Sequence, residues 1–154
     1  MAQPHLGLIV PPAAGAVPVE GAQLYGERFR FSARGLGLSE ISTRGYEEVI
    51  DTVVEKALLL KKEGAEAISL MGTSLSFYRG SAFNRQLEAE MARSTGLPCT
   101  TMTHAIVRGL RHVQVRRVAV ATAYIDEVNQ RLRDYLEQNG FGPLGLGGLS
   151  SSGV

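Results

Sequence analysis

The chain is organised around the segment Ser69-Leu-Met-Gly-Thr-Ser-Leu-Ser-Phe-Tyr-Arg-Gly80. This segment begins within an apolar run, 65–71, that predicts a buried strand, and it precedes a helical pattern in which Phe83, Leu87 and Met91 recur every four residues. Open α/β sheets bind ligands at the carboxyl ends of their parallel strands. We therefore expect a ligand site at the turn between this strand and this helix.

Three residues of the turn indicate what it could bind. Gly72 would let the backbone approach a ligand closely, while Thr73 and Ser74 add hydroxyl donors to the free N–H groups of the turn. Donors of this kind can hold negatively charged oxygen. The alternative is an ordinary strand-to-helix turn, because Gly, Thr and Ser are common in turns and helix caps. The spacing of the residues does not decide between the two.

Apolar runs and amphipathic helical patterns alternate along the rest of the chain. We predict strands at 6–10, 65–71, 97–101 and 118–122, and helices at 42–64, from about 81 to 95, at 103–113 and at 126–139. Such alternation predicts an α/β fold with a parallel sheet covered on both faces. Ser42 or Thr43 is expected to cap the first helix and Thr103 the third. The Gly-, Ala- and Pro-rich segment 13–39 is predicted to be a loop that covers a substrate.

Length, charge and composition limit the classes of partner. The chain has 154 residues, enough for a real core, and a formal net charge of +1, which gives no reason to expect nucleic acid or an acidic membrane as partner. No apolar run approaches the roughly 20 residues that span a bilayer, and no secretory signal is evident. The lone Cys99 is compatible with a reducing compartment. We expect a monomeric cytoplasmic protein with a small-molecule partner.

The histidines, the cysteine and Tyr124 are the remaining candidates for metal binding, catalysis or ligand binding. The histidines at 5, 104 and 112 lack the spacing of metal ligands, so no metal site is expected, and His104 and His112 are predicted to face solvent. Cys99 is interpreted as a structural thiol, because no basic or helix-terminal feature is placed to lower its pKa. Tyr124 follows a predicted strand as Thr73 does, so its phenol could converge with the Thr73 and Ser74 hydroxyls on one anionic group. A half-buried structural tyrosine is the alternative.

Several blocks of the sequence together resemble the arylmalonate decarboxylases of the aspartate/glutamate racemase superfamily. These blocks are the central segment 69–80 and Ile9-Val-Pro-Pro-Ala-Ala-Gly15, Gly35-Leu-Gly-Leu38, Gly96-Leu-Pro-Cys-Thr-Thr-Met102 and Ala121-Thr-Ala-Tyr-Ile-Asp126. The similarity runs from about Leu6 to Val154 in one register. It implies two Rossmann-like α/β lobes with parallel sheets and a cleft between them. In this chain we expect the first lobe at 1–115 and the start of an incomplete second lobe at 116–154.

The resemblance also implies a reaction. The family uses neither a metal nor an organic cofactor, and its substrate is a small dicarboxylate, a disubstituted malonate with an aryl or alkenyl group. One carboxylate leaves as carbon dioxide from an apolar pocket that disfavours its charge. The retained carboxylate becomes an enediolate held by hydroxyl and N–H donors. A cysteine then protonates one face, which gives a chiral monocarboxylic acid.

Carried over by position, the resemblance assigns the site residues. Thr73, Ser74 and Tyr124 match the oxyanion-stabilising residues, and Gly72 stands where racemases of the superfamily carry the first of two cysteines. The residues expected around the apolar pocket and the aryl group are Pro11, Leu38, Ile41, Tyr46, Leu75 and Val154. Plain core packing is the alternative for these residues, above all for Ile41 and Leu75.

The proton-donating cysteine is where this sequence departs from the family. The family's acid lies beyond the position of Val154, and Cys99 matches a different, non-catalytic position. The chain therefore holds the binding half of the site without its acid. We expect it to be a fragment of a longer protein; the alternative is a short protein that is inactive as a decarboxylase. Two alternatives stay open. One is another superfamily enzyme, such as a maleate cis-trans isomerase or an amino-acid or hydantoin racemase, which Gly72 disfavours. The other is a non-catalytic carboxylate-binding α/β domain, which the missing cysteine favours.

Overall fold

The computed structural model describes residues 2–148 of the protein, so the predicted pocket residue Val154 lies outside the described residues. The strands are β1 (His5–Val10), β2 (Arg30–Gly35), β3 (Ala67–Leu70), β4 (Cys99–Thr101), β5 (Arg117–Thr122) and β6 (Gly142–Gly148). The helices are α1 (Val19–Tyr25), α2 (Thr43–Ile50), α3 (Val53–Lys62), α4 (Thr73–Phe77), α5 (Gly80–Thr95), α6 (Met102–His112) and α7 (Asp126–Gln138).

The strands form two parallel sheets. The first has four strands in the order β2-β1-β3-β4, and the second pairs β5 with β6. In the first sheet, Leu6 of β1 lies between Phe31 of β2 and Ala67 of β3. All of these pairings are parallel, so the predicted α/β class is confirmed. The division into lobes at residue 116 stays a prediction.

The core forms mainly on one face of the four-stranded sheet. Side chains alternate along β1, so Ile9 points to this face while Leu8 and Val10 point to the other. Ile9 is fully buried among residues of α2, α3 and α5, of which Tyr46, Leu60 and Met91 are also fully buried. Burial of a side chain such as Leu60 stabilises the fold by about 1.5–3 kcal/mol. The opposite face carries a smaller cluster with Leu8, Val10, Ala33, Val17, Phe31 and Met71.

Two elements lie in the segment 13–39, which the sequence predicted to be a loop. Strand β2 gives no strand signal in the sequence, because Arg30-Phe-Ser-Ala-Arg-Gly35 has no apolar run. It lies at the edge of the sheet, and Ala33 is its one buried residue. Helix α1 gives no helix signal in the sequence, because none of its residues is buried and it carries no apolar stripe. The loop prediction was therefore wrong over these two elements.

The predicted helix 42–64 is two helices. Ser42 caps α2 as predicted, because its side chain accepts a hydrogen bond from the Gly45 N–H at 3.1 Å. The helix is interrupted at Asp51 and Thr52, which form a turn between α2 and α3. The Thr52 hydroxyl donates to the Val49 carbonyl at 2.7 Å, which is the kind of local bond that competes with helix continuation.

The cap predicted for the third long helix was wrong by two residues. Thr101, not Thr103, caps α6 by accepting from the His104 N–H at 3.2 Å. His104 is not simply solvent-facing either, since its Nδ1 lies 2.6 Å from a Glu88 carboxylate oxygen. None of the helices between residues 2 and 148 is long and apolar enough to span a bilayer.

Candidate functional site

The turns that follow β3 and β5 bring two hydroxyl groups together. Gly72 is the residue before α4, and Thr73 is the first residue of that helix. Tyr124 lies between the end of β5 and the start of α7. The Thr73 Oγ1 and the Tyr124 Oη are 2.7 Å apart. Because each hydroxyl carries one hydrogen, either oxygen can donate to the other and leave the second hydrogen free.

Local hydrogen bonds fix the position of Tyr124. Its N–H donates to the Thr122 Oγ1 at 3.2 Å, and its carbonyl accepts from the Asn129 Nδ2 at 2.9 Å. Thr122 in turn donates to the Asn129 Oδ1 at 2.6 Å. The Tyr124 ring meets the edge of the Phe77 ring, with centroids 6.0 Å apart and planes at 69°. The phenol is therefore held by its own turn as well as by Thr73.

Ser74 and Tyr46 place two more hydroxyl groups beside this pair. Ser74 is buried and Tyr46 is completely buried, with its ring against Tyr78 at a centroid distance of 5.0 Å. Within the described part of the chain, the Tyr46 Oη makes no hydrogen bond of normal geometry. Burial raises the pKa of Tyr46; the nearby Ser74 hydroxyl lowers it in part, and the charge that Tyr124 would carry raises it. Tyr46 is therefore a protonated phenol, and its oxygen has no hydrogen-bond partner of normal geometry among the described residues.

The predicted wall residues Pro11 and Leu75 meet at Gly72. A Cβ atom on Gly72 would lie 3.2 Å from the Leu75 Cβ and 3.4 Å from the Pro11 Cγ, so the turn has little room for a side chain. Leu38 joins the same region, because its N–H donates to the Pro11 carbonyl at 2.9 Å. Leu75 is fully buried in the main core. Packing is thus established for Leu75, while its role in a pocket stays a prediction.

The assignment of two other residues, Ile41 and Val154, to the pocket wall stays a prediction. Ile41 is 56% exposed, and Val154 lies outside the described residues. Ile41 precedes α2, whose Thr43 hydroxyl donates to a Glu127 carboxylate oxygen at 2.6 Å. This contact ties the start of α2 to the start of α7 near Tyr124.

A cleft of about 370 Å³ opens beside the Thr73–Tyr124 pair. Its polar lining residues are Thr73, Thr103, Thr122 and Tyr124, and its apolar ones are Phe77, Ile106, Val107, Leu110, Val118, Ala119, Val120, Ala121, Leu132 and Leu136. All of these described lining residues are uncharged. The arrangement can hold an anionic oxygen with neutral hydroxyl donors next to an apolar surface.

Cys99 belongs to a different place in the structure. It begins β4, lines a separate cleft with Leu6 and Ile68, and has its Sγ 3.6 Å from the Thr95 Oγ1. Burial raises the pKa of the Cys99 thiol; the Thr95 hydroxyl lowers it in part, and Glu88 raises it. The thiol is thus kept protonated, as a structural cysteine would be.

Among residues 2–148, no group of three or more His, Cys, Asp or Glu side chains is placed to hold a metal ion. The expectation that the protein works without a metal or cofactor stays a prediction.

Two residues near the site were not predicted to belong to it. Ser76 and Thr103 hydrogen-bond to each other and to the backbone of Gly72 and Thr73. Their sequence signal was ambiguous: Ser76 is one of several hydroxyl residues in the central segment, and Thr103 matched the pattern of a helix cap.

Comparisons with known proteins bear on this geometry. Residues 6–154 match the model of a family described as arylmalonate decarboxylase. The arylmalonate decarboxylase of Bordetella bronchiseptica is 54% identical over 151 residues, a match that covers 98% of this chain and 62% of that protein. The chain thus spans less than two thirds of the length of this curated relative.

Solved structures show the same relationship. A crystal structure of arylmalonate decarboxylase superposes with a TM-score of 0.86 at 54% identity, covering 96% of this chain and 64% of the other. A mutant of the Nocardia farcinica maleate cis-trans isomerase superposes with a TM-score of 0.89 at 22% identity, covering 96% and 64%. The second likeness concerns the fold alone. Both neighbours are consistent with the predicted racemase-type architecture.

Proposed function

The chain belongs to the arylmalonate decarboxylase family, and from this membership we propose that the protein serves the cofactor-independent decarboxylation of aryl- or alkenyl-substituted malonates. The product is a chiral monocarboxylic acid. The observation that carries the proposal is the 2.7 Å contact between the Thr73 and Tyr124 hydroxyls beside an uncharged cleft.

The first part of the proposed mechanism concerns the retained carboxylate. When the bond to the leaving carboxylate breaks, its electron pair spreads into the retained group and forms an enediolate with charge on two oxygens. Thr73 and Tyr124 share one hydrogen between them and have one left for these oxygens. Ser74 and the Tyr46 phenol, which has no hydrogen-bond partner within the described residues, are the further donors of the proposal, and neither of them lines the cleft beside Thr73. Donors that are already in place stabilise the charge as it develops.

The second part concerns the leaving carboxylate. The described cleft residues beside Thr73 carry no formal charge, so a carboxylate in contact with them loses hydration without gaining an ion pair from them. Loss of carbon dioxide removes that charge from the apolar surface, which favours the bond cleavage. This chain's share of the reaction is to bind and orient the dicarboxylate, and no described residue is assigned as the proton donor.

The test uses phenylmalonate and its 2-methyl derivative. The purified protein is incubated with each, and carbon dioxide release and product are followed against a buffer blank; chiral chromatography determines the hand of 2-phenylpropionate. Release well above the blank, lost in Thr73→Val, supports the proposal. Failure to bind either malonate contradicts it, and binding without carbon dioxide release supports the binding-only candidate described next.

One observation favours a second candidate, a domain that binds a carboxylate without converting it. The chain's single cysteine lies in a cleft other than the one at Thr73, with its pKa raised by burial, so it is not placed as the acid. Saturable binding of phenylmalonate without carbon dioxide release would support this candidate. Conversion of maleate to fumarate would instead support an isomerase, despite the glycine at position 72.

A further inference from the structure

A buried pair of hydroxyls holds the backbone at the start of α4. Ser76 is fully buried, and its Oγ lies 2.8 Å from the Gly72 carbonyl oxygen and 2.9 Å from the Thr73 carbonyl oxygen. Thr103, from α6, is 3% exposed; its Oγ1 lies 2.5 Å from the Ser76 Oγ and 2.9 Å from the Thr73 carbonyl oxygen. Hydroxyl groups from two helices, α4 and α6, therefore contact the Thr73 carbonyl.

The hydrogens of the two hydroxyls can be assigned to these contacts. Each hydroxyl has one hydrogen to donate, so the pair can donate two bonds at once among these four contacts. One arrangement serves every acceptor: Ser76 donates to the Thr103 oxygen, Thr103 donates to the Thr73 carbonyl, and the Gly72 carbonyl accepts from the Ser76 N–H at 3.1 Å. Removing the Thr103 hydroxyl would take away the donor that reaches the Thr73 carbonyl from α6, and it would leave the Ser76 hydrogen free to turn to either carbonyl. The Thr73 peptide would then be held by α4 alone and would be free to shift.

The two ends of Thr73 are thus fixed by different parts of the molecule. Its carbonyl is held by Ser76 and Thr103, and its side-chain hydroxyl contacts Tyr124 at 2.7 Å. Ser76 by itself would be unremarkable, since serine hydroxyls in helices often bond to the carbonyl four residues earlier. Thr103 is different, because it comes from another helix and also lines the cleft beside Thr73 and Tyr124.

We propose that Thr103, together with Ser76, is a positioning residue that holds Thr73 in the rotamer from which its hydroxyl serves the ligand carboxylate. This inference rests on the proposed function of Thr73 as an oxyanion donor. A binding site is more effective when supporting residues hold its hydrogen-bond donors in one geometry. The hydroxyl groups of Ser76 and Thr103 would act on the ligand through Thr73.

The experiment compares three threonine variants of this chain. Thr103→Val removes the hydroxyl at nearly constant shape, and Thr103→Ser keeps it. Thr95→Val is the matched control: Thr95 is fully buried, its hydroxyl donates to the Met91 carbonyl at 2.7 Å, and it lies at the end of α5 outside the cleft. Three-bond NMR couplings report the χ1 rotamer of Thr73 in the free protein, and a titration with phenylmalonate reports affinity.

We expect Thr103→Val to average the Thr73 χ1 rotamers and to weaken phenylmalonate binding about tenfold, the equivalent of one net hydrogen bond. Thr103→Ser should restore a single rotamer and an affinity within about twofold of wild type, and Thr95→Val should change neither readout. Ser76→Ala removes the other hydroxyl of the pair and serves as the second test if Thr103→Val does not fold.

The outcomes separate the inference from the proposed function. Unchanged Thr73 couplings in both Thr103→Val and Ser76→Ala would overturn the inference, as would an equal loss of affinity in Thr95→Val. If the couplings change but the wild-type chain binds no phenylmalonate, the positioning of Thr73 is supported and the proposed function fails.

Discussion

Thr73 and Tyr124 are 51 positions apart in the sequence, yet their side-chain oxygens lie 2.7 Å from each other. Thr73 follows a strand of the four-stranded sheet, and Tyr124 follows a strand of the two-stranded sheet. The contact therefore joins the carboxyl ends of strands from two separate sheets.

Tyr124→Phe should weaken phenylmalonate binding about tenfold and lower the free energy of unfolding by about 1 kcal/mol, because it removes one hydrogen bond and one candidate donor. Calorimetric titration and urea unfolding measure the two effects. Tyr135→Phe is the matched control, since it removes a buried phenol that accepts from the Asn84 Nδ2 at 2.9 Å outside the site. A loss of affinity in both variants would contradict a specific role for Tyr124.

Tyr46→Phe should separate stability from binding. Among residues 2–148 the buried Tyr46 oxygen has no hydrogen-bond partner, so its removal should leave the free energy of unfolding unchanged or raise it by up to about 1 kcal/mol. Affinity for phenylmalonate should nevertheless fall, because a ligand donor is lost. Tyr78→Phe is the control: the Tyr78 oxygen is also buried without a partner in the described structure, but it has no proposed ligand role. Equal binding by wild type and Tyr46→Phe would refute the assignment.

Gly72→Ala should destabilise the protein by about 1 kcal/mol, because the added methyl group crowds Leu75 and Pro11. The same change at Gly109, an exposed site within α6 where an added Cβ meets nothing within 4 Å, should instead stabilise by about 0.5–1 kcal/mol. Thermal unfolding of both variants checks the opposite signs. Stabilisation by Gly72→Ala would show that the turn is less tightly packed than described.

Stability should decline at alkaline pH. Burial raises the pKa values of Tyr46, Tyr78 and Tyr135 above the ordinary 10.0. A folded-state pKa above the unfolded value means that the folded protein retains its proton where the unfolded chain loses it. The contribution to stability is thus complete below pH 10.0 and is lost as pH rises through the folded-state values.

Urea unfolding between about pH 8.5 and 11.5 tests this dependence. Tyr135→Phe should flatten the alkaline decline. Tyr25→Phe, at a side chain that is 50% exposed, is the matched control and should retain the wild-type slope. An identical slope in wild type and Tyr135→Phe would rule out the buried phenol at 135 as a contributor.

The sequence was informative wherever burial imposes a pattern. Strands β1, β3 and β5 were found because their apolar runs are bounded by turns, and the alternation with helices gave the parallel arrangement. The polar groups after β3 and β5 could be recognised as residues at the carboxyl ends of strands. Their convergence depends on how two separate sheets pack against each other, which the strand pattern does not encode.

Other features had no such signal. The unused phenol of Tyr46 depends on which ring packs beside it, and the bonds from Ser76 and Thr103 depend on how α4 and α6 meet. The assignment of Thr103 as a cap failed because Thr101 offers the same side chain two residues earlier, at the true start of the helix. Tertiary packing settles these points, and local spacing does not encode it.

The polar character of β2 has an effect on association between molecules. This strand forms one edge of the four-stranded sheet and carries Arg30 and Arg34, the latter paired with Glu63. Charged side chains on an edge strand discourage another chain from adding to the sheet. At the opposite edge, β4 has only three residues, which offers a short template for such pairing. The polar sequence of β2, which gives no strand signal, thus disfavours the pairing of another chain with this edge of the sheet.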